Sequence, residues 1–268
     1  MTPHIVSPVR PPAVAGLFYP AEAGLLTRTV SDLLGGVDTA RSPVPKALIA
    51  PHAGYVYSGP IAAHAYARLA AARGTVKRVV LLGPTHRVAV RGLAIPRARA
   101  FATPLGTIEL DAAAIESIRE LPQIVVSDEA HAMEHSLEVH LPFLQNVLGD
   151  FKLVPLAVGY AEPADVAAVI EALWGGPETL IVVSSDLSHY LRYAEAKAID
   201  RETCEAVLAL RTDIDHDQAC GATPVTGLTF VARHRDLRPE LLDLRNSGDT
   251  AGDKSRVVGY ASFAFYER

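Results

Sequence analysis

The 268-residue chain has few cysteines, few methionines, a single tryptophan and no long hydrophobic run. Its two cysteines, Cys204 and Cys220, do not form the framework of a disulfide-rich secreted domain, and both are expected to be free thiols in a reducing compartment. Apolar runs such as "VVLLG" and "LIVV" fall far short of the roughly 20 residues that a membrane-spanning helix needs. The sequence therefore predicts neither a disulfide scaffold nor a transmembrane protein.

The chain also lacks a strong excess of charge of either sign. Its net charge is -5, and its 25 Lys and Arg form no long basic run, so no surface is predicted for nucleic acid or for an anionic membrane. The N-terminal stretch "MTPHIVSPVRPPAVAGLFYP" has prolines where a signal peptide needs a continuous apolar core. We expect a cytoplasmic protein whose partner is a small molecule or a peptide; the sequence indicates no oligomeric state.

Short aliphatic runs alternate along the chain with longer helical patterns. The predicted strands are 46–50, 77–83, 152–158 and 179–184, and the predicted helices are 58–72, 111–120, 135–148, 163–173, 193–210 and 223–234. This alternation predicts an α/β fold with a mostly parallel or mixed central sheet and helices on both faces. Without a long linker, residues 1–268 are expected to form a single domain, with residues 1–20 as an arm on its surface. The alternating "RVVGYASFAFYE" is expected to close the sheet as an antiparallel edge strand.

Three histidines follow directly after predicted strands. His52, His86 and His189 come after "KALIA", "VVLLGPT" and "LIVVSSDLS", at the sheet edge where open α/β folds bind ligands. Neutral imidazole binds zinc, iron and copper, and its ordinary pKa of about 6.5 also suits proton transfer. Cys220 begins a predicted helix, where the helix dipole favours a thiolate, whereas Cys204 lies in mid-helix and suits a buried core position. Ordinary packing is the alternative for both cysteines.

A second candidate cluster lies in "HAMEHSLEVHLPFL". On a helix, His131, His135 and Glu138 would share one face as a ligand set, although the spacing differs from the His-Glu-x-x-His pattern of zinc proteases. Alternatives are an ordinary amphipathic helix and a supporting role in which His135 and Glu138 line the site. Asp186 could orient His189 or His52, and the adjacent serines lack the G-x-S-x-G pattern of a serine hydrolase.

Several motifs, in order, resemble those of the Memo family, which includes the bacterial AmmeMemoRadiSam system protein B. They are "RPPAVAGLFYP", "IAPHAGYVYSGPIAAHAY", "VVLLGPTH", "EHSLEVHLPFLQ", "VVSSDLSHY" and "CGATPV". The resemblance implies a fold like that of the class III extradiol dioxygenases, which are non-haem iron enzymes. It also implies that His52, His86 and Cys220 are metal ligands, that His189 is a catalytic base, and that His135 is a further catalytic position in the pocket. Where some animal relatives have two histidines, this chain has "GPTHR".

These expectations favour a mononuclear non-haem metal centre. Fe(II) is the expected metal, with copper or zinc as alternatives, because a thiolate replaces the carboxylate of the usual dioxygenase triad. The expected function is a redox, dioxygenase-like reaction on a small molecule. The alternatives are metal handling without turnover, peptide binding in the same pocket with Tyr55 and Tyr57 at its rim, and zinc-assisted hydrolysis.

Overall fold

The computed structural model describes residues 8–38 and 43–268. Its strands are β1 (Val9–Arg10), β2 (Ala47–Ala50), β3 (Arg78–Pro84), β4 (Leu93–Ile95), β5 (Ala100–Thr103), β6 (Gly106–Glu109), β7 (Ile124–Val126), β8 (Lys152–Val158), β9 (Thr179–Ser184), β10 (His189–Leu191), β11 (Arg238–Asn246) and β12 (Val257–Tyr266). Its helices are α1 (Ala23–Gly35), α2 (Tyr55–Ala67), α3 (Ala112–Ile118), α4 (Asp128–Ala132), α5 (Leu141–Leu148), α6 (Pro163–Ala172), α7 (Tyr193–Leu208), α8 (Ala222–His234) and α9 (Ser247–Thr250).

The large sheet is mixed. Its order is β10-β12-β2-β9-β3-β8-β4-β7, and β11 also pairs with β12. Strands β2, β9, β3 and β8 are parallel, whereas β4 runs antiparallel to β8. Every residue of β2 and β9 is buried, which is why both strands are continuous aliphatic runs rather than alternating patterns. A smaller sheet contains β1, β5 and β6.

The C-terminal strand does not lie at an edge. β12 pairs antiparallel with β11 and also with β2 and β10, so it has neighbours on both sides. The expectation of an antiparallel strand is confirmed, but the expectation of an edge position is wrong. Its burial explains the difference, because nine of its ten residues are buried and an exposed edge strand would leave one side in solvent.

Helices cover both faces of the sheet. On one side α2 contacts β12, β11 and β2 and packs against α1 and α5, and on the other α8 contacts β9 and β3 and packs against α6. The α/β class with a mixed sheet is therefore confirmed. No helix within the described residues is long and apolar enough to cross a membrane.

The predicted helix 135–148 is wrong over its first half. α5 begins at Leu141, with Pro142 in its first turn, and a short 3-10 turn from Glu138 to His140 precedes it. Proline is common at the start of a helix because the first N–H groups have no partner within the helix. The segment before Leu141 is consequently free to turn toward the edge of the sheet.

The N-terminal arm is partly buried. Its residues 1–7 lie outside the described residues, and within the remainder Arg10, Val14 and Tyr19 are at most 6% exposed. Arg10 lies in β1, which pairs with β5 of the small sheet. The arm thus contributes side chains to the interior rather than only covering the surface.

Candidate metal centre

His52, His86 and Cys220 meet at the carboxyl-terminal edge of the large sheet. His52 follows β2, His86 follows β3 and Cys220 precedes α8. One ligand atom from each lies within 4.8 Å of the other two. The His52 and His86 rings are 5.1 Å apart between centroids, and His52 Nε2 lies 3.4 Å from Cys220 Sγ. Since both imidazole nitrogens and thiolates bind transition metals, the cluster has the donor chemistry of a metal centre.

His52 is held by its backbone and by its ring. Its N–H donates to Asp186 Oδ1 over 2.7 Å, and its ring Nδ1 lies 2.6 Å from Ser184 Oγ. Asp186 Oδ2 is 3.9 Å from His52 Nε2, too far for a hydrogen bond, so this carboxylate contacts the backbone of His52 rather than its ring. Burial, with the charges of the neighbouring histidines, lowers the pKa of His52. Burial raises the pKa of Asp186 to about 7, against the opposing hydrogen bonds from His52 and Ala53.

Glu134, which sequence reasoning missed, orients His86. Its carboxylate accepts hydrogen bonds from His86 N over 2.6 Å and from His86 Nδ1 over 2.8 Å, as well as from the backbone N–H groups of His135 and Ser136. Burial raises the pKa of Glu134, but the hydrogen bonds and charge of His86 outweigh it and lower the pKa to about 2. An ionised carboxylate only accepts hydrogen bonds, so the proton of neutral His86 is on Nδ1 and its Nε2 is the nitrogen available to a ligand.

His86, Glu134 and His135 form a second group of potential ligands, because their donor atoms also lie within 4.8 Å of one another. Glu134 already accepts four hydrogen bonds from the protein, three at Oε1 and one at Oε2. The geometry therefore fits Glu134 better as an orienting carboxylate than as a metal ligand.

His135 forms one wall of the site. Its ring stacks on His86 at 4.6 Å between centroids and packs against Phe18 at 4.7 Å. Its Nδ1 lies 3.3 Å from Glu134 Oε1. Burial lowers the pKa of His135 to about 4, even though the charge of Glu134 opposes this shift. The ring is consequently neutral near pH 7.

Cys220 lies immediately before the N-cap of α8, as its helix-head prediction requires. Its Sγ accepts from the Asp186 N–H over 3.3 Å. A Cβ on the next residue, Gly221, would lie 2.5 Å from the Ser184 carbonyl oxygen, so only glycine allows this close approach. The expected stabilisation of a thiolate is not found, because burial and the charge of Asp186 raise the pKa of Cys220 to about 12. Cys204 is buried in α7, consistent with the predicted core position.

His189 lies apart from these donor atoms. It begins the short antiparallel strand β10, and it belongs to neither group of potential ligands in the part of the chain that the structure describes. Burial lowers its pKa, and the charge of His86 acts in the same direction. The charge of His189 in turn lowers the pKa of His52, which places His189 at the border of the site.

His131 and Glu138 do not face the site with His135, so the predicted ligand face is wrong. α4 ends at Ala132, and His131 is buried with its Nε2 2.9 Å from the Ala94 carbonyl oxygen. The Glu138 carboxylate instead pairs with Arg10 and accepts from Tyr19 Oη over 2.5 Å. Both side chains are therefore structural.

Arg10, which pairs with Glu138, also binds the backbone of the segment that carries Glu134 and His135. The Arg10 guanidinium also donates to the carbonyl oxygens of His131, over 2.9 Å, and Glu134, over 2.6 Å. The Ala13 N–H donates to Glu138 over 2.7 Å. The arm thereby fixes the backbone of the segment that carries Glu134 and His135.

A cavity of about 780 Å³ opens beside the cluster. Ligand-binding pockets in proteins are typically about 300–1,000 Å³, so this cavity has room for a small molecule. Its lining combines His86 and Cys220 with apolar and polar side chains, among them Arg87, Val88, Val90, Ala161, His216 and Thr223.

Tyr57 is exposed near the start of α2, whereas Tyr55 is buried and donates to the Val139 carbonyl oxygen over 2.7 Å.

Comparisons with known proteins agree with this architecture. A family model described as "Memo-like protein" matches residues 10–264. A MEMO1 family protein of Aquifex aeolicus is 36% identical over 96% of this chain and 99% of its own length, and one of Ignicoccus hospitalis is 37% identical over 96% and 98%. A crystal structure of an uncharacterized protein from Escherichia coli K12 has a TM-score of 0.51 at 14% identity and covers 83% of this chain and all of its own. That last likeness concerns the fold alone.

Proposed function

This chain belongs to the Memo-like protein family, and from that premise we propose that it binds one transition-metal ion through His52, His86 and Cys220 for an oxidative reaction on a small molecule. One observation carries the proposal: the donor atoms of these three side chains lie within 4.8 Å of one another beside a cavity of about 780 Å³. The resemblance of the motifs around His52, His86 and Cys220 to those of the Memo family supports the same assignment.

The chemistry of the three donors fits a metal ion. His86 presents Nε2 because Glu134 binds its Nδ1, and His52 Nε2 points toward Cys220 Sγ. Burial raises the pKa of Cys220 to about 12, so the thiol of the metal-free protein holds its proton at neutral pH. A metal ion binds the thiolate, and its uptake would therefore release this proton.

Fe(II) is the first candidate metal and copper the second. Two imidazoles and one thiolate leave coordination positions open, and bound Fe(II) would supply redox chemistry toward oxygen and substrate at those positions. A thiolate is softer than the carboxylate of the usual dioxygenase triad, which is why copper follows iron and why zinc is a further alternative.

The remaining side chains would bind the substrate and move protons. Burial lowers the pKa values of His189 and His135, so both rings are neutral near pH 7 and can accept a proton from a substrate hydroxyl. We assign the base to His189, whose motif resembles the catalytic base position of the dioxygenases, and the pocket wall to His135. The apolar lining of the cavity would exclude water from the substrate.

Metal handling without turnover is the second candidate, and the soft thiolate of Cys220 favours it, because such donors hold Cu(I) well. Peptide binding has less support. Tyr55, one of its two expected rim residues, is only 6% exposed and is bonded to the protein backbone.

The decisive experiment measures metal content and metal access. Protein purified without oxygen is examined by elemental analysis and by electron paramagnetic resonance with and without nitric oxide, beside the variants His52→Ala, His86→Ala and Cys220→Ser. Cys204→Ala is the matched control, because it removes a buried thiol of α7 that belongs to neither group of potential ligands among the described residues. We expect near-stoichiometric iron that binds nitric oxide in the wild type and in Cys204→Ala, and loss of iron in the three other variants.

Other outcomes separate the alternatives. Undiminished metal in the ligand variants would refute the assigned ligands. Copper without oxygen consumption would favour metal handling, and zinc would favour hydrolysis. If iron is found, His189→Gln is expected to keep the metal while losing turnover with catechols and related small reductants.

A further inference from the structure

A chain of hydrogen bonds leads from His52 into the interior of the protein. His52 Nδ1 lies 2.6 Å from Ser184 Oγ, and His140 Nε2 lies 2.8 Å from the same oxygen. Ser184 Oγ also lies 2.6 Å from the carbonyl oxygen of Ser136. The other ring nitrogen of His140, Nδ1, lies 2.6 Å from Tyr66 Oη. All five residues are at most 1% exposed, so no solvent competes for these bonds.

The number of protons on Ser184 decides the direction of each bond. A serine hydroxyl has one proton and two lone pairs, and a backbone carbonyl only accepts. At 2.6 Å from the Ser136 oxygen, the hydroxyl must donate to that carbonyl, because two oxygens at this distance repel each other without a proton between them. Both imidazole nitrogens that face Ser184 Oγ must therefore donate to it.

We propose that Ser184 is a positioning residue that fixes the tautomer of His52, with the proton on Nδ1 and the lone pair of Nε2 directed at the metal centre. The tautomer follows from the hydrogen bonds alone, whereas its use in metal binding rests on the proposed function. Glu134 performs the same task for His86, so a buried hydroxyl does for one ligand what a carboxylate does for the other.

The tautomer of His140 follows in the same way from its own hydrogen bonds. Since His140 donates through Nε2, neutral His140 has its lone pair on Nδ1 and accepts there from the Tyr66 hydroxyl. Burial lowers the pKa of His140 to about 3 and raises that of Tyr66, which agrees with a neutral ring and a protonated phenol. Every ring nitrogen and hydroxyl of these hydrogen-bonded residues then has a partner of the correct kind, and the lone pair of His52 Nε2 faces the Cys220 thiol over 3.4 Å.

Close packing holds Ser184 in this position. A Cβ on Gly83, in the adjacent strand β3, would lie 2.8 Å from Ser136 Oγ and 3.1 Å from Ser184 Cβ. Ser136 Oγ itself donates to the Pro84 carbonyl oxygen over 2.8 Å. The acceptor of the Ser184 hydroxyl is thus fixed by the strand that precedes His86, and the hydroxyl has little freedom to reverse its bonds.

The direct test is to observe the tautomers of metal-free wild-type protein by two-bond ¹H–¹⁵N correlation spectroscopy of ¹⁵N-labelled histidine near neutral pH. Assignment uses the variants His52→Gln and His140→Gln, each of which removes one set of signals. We expect His52 to be protonated on Nδ1 alone and His140 on Nε2 alone. A spectrum with the proton of His52 on Nε2, or with both tautomers in comparable amounts, would overturn the proposal.

Three variants separate positioning from simple packing. Ser184→Ala removes the acceptor, so His52 is expected to lose its single tautomer, whereas Ser262→Ala leaves it unchanged. Ser262 is a matched control because it is equally buried and its hydroxyl has no hydrogen-bond partner within the described residues. Tyr66→Phe is expected to alter the signals of His140 while His52 keeps its proton on Nδ1. Unchanged His52 signals in Ser184→Ala would contradict the assigned role.

Metal titration then tests the link to the centre. Loss of an orienting partner typically lowers metal affinity about 10–100-fold, and we expect a loss of this size for Ser184→Ala and none for Ser262→Ala. If no metal binds even to the wild type, the proposed function fails, while the tautomer spectrum still decides the role of Ser184. If metal binds to wild type and Ser184→Ala equally, the positioning role fails and the proposed function stands.

Discussion

Two polar clusters involve the segment from His131 to His140, and they differ in how many of their polar atoms have hydrogen-bond partners within the protein. In the first, Glu138 receives hydrogen bonds from Arg10, Tyr19 and two backbone N–H groups. The second cluster contains His52, His86 and Cys220. One potential ligand atom from each of these side chains lies within 4.8 Å of the other two. Both clusters are polar, and both contain buried side chains, although His86 of the second is exposed.

The contrast shows that burial and polarity do not by themselves indicate a functional site. The Arg10–Glu138 cluster is closed, because the carboxylate oxygens and the charge have protein partners, and such a cluster stabilises the fold. The proposed metal centre is open, since Ser184 and Glu134 bind Nδ1 of His52 and His86 and leave Nε2 of each ring for a ligand. Perturbing each cluster should accordingly affect a different property.

The largest loss of stability is expected when Glu138 loses its cationic partner Arg10. Arg10→Met would leave the Glu138 carboxylate buried without its cation, and removing one partner of a buried ion pair typically costs about 3–5 kcal/mol of the free energy of unfolding. Urea denaturation measures this loss. Arg97→Met, which breaks an exposed pair with Asp128, is the control and should cost less than about 1 kcal/mol. Equal losses in the free energy of unfolding for the two variants would show that the buried pair stabilises the fold no more than the exposed pair does.

Asp200 extends the comparison to a buried carboxylate that has no ion-pair partner within the described residues. It accepts from the Ser188 N–H over 3.0 Å, and burial raises its pKa to about 6. The folded protein thus binds this proton more tightly than the unfolded chain, whose aspartate pKa is about 4. Its stabilising contribution is complete below pH 4 and lost as the pH rises to about 6, a change of about 3 kcal/mol.

The Asp200→Asn variant tests this pH dependence. Urea denaturation between pH 4 and 7 should show that the variant loses less stability than the wild type as the pH rises, by up to about 3 kcal/mol. The exposed Asp150→Asn is the control and should follow the wild type. A wild-type curve parallel to that of Asp200→Asn would show that this carboxylate is not costly to ionise.

The smallest effect on stability, and the clearest effect on metal, is expected at Glu134. Glu134→Gln would present an amide N–H to donors of His86, so the ring should lose its fixed orientation and metal affinity should fall about 10–100-fold. Competition with a chromophoric chelator measures the affinity. The exposed Glu129→Gln, five residues earlier in the chain, should bind metal like the wild type. Unchanged affinity in Glu134→Gln would show that the carboxylate only shapes the backbone.

The sequence was sufficient to predict the parts of the site that depend on regular elements. His52 and His86 follow aliphatic strands whose burial on both faces gives a strong local pattern. Cys220 precedes a helix whose start is also locally visible. Because parallel strands end at one edge, His52 and His86 could be expected to meet, whereas the resemblance to the Memo family implied that Cys220 joins them.

The supporting residues could not be predicted from the pattern alone. The prediction of one helix over 135–148 grouped Glu138 with His135, although Pro142 is typical of a helix that begins at Leu141. Because the segment before Leu141 does not continue this helix, Glu134 can contact His86. No local signal pairs Arg10 with Glu138, since they are separated by 128 residues. The position of β12 inside the sheet likewise depends on which strands bury it rather than on its own alternation.

The separation of Arg10 from Glu138 has a consequence for biosynthesis. Ribosomes add about 5–20 residues per second, so the arginine emerges on the order of 10 s before its carboxylate partner is made. For most of that interval the Arg10 side chain has neither its carboxylate partner nor the Glu134 carbonyl oxygen to bind. The proposed metal centre is therefore completed late in translation, and a nascent chain interrupted before residue 138 would have His52 and His86 without the residues that orient their rings.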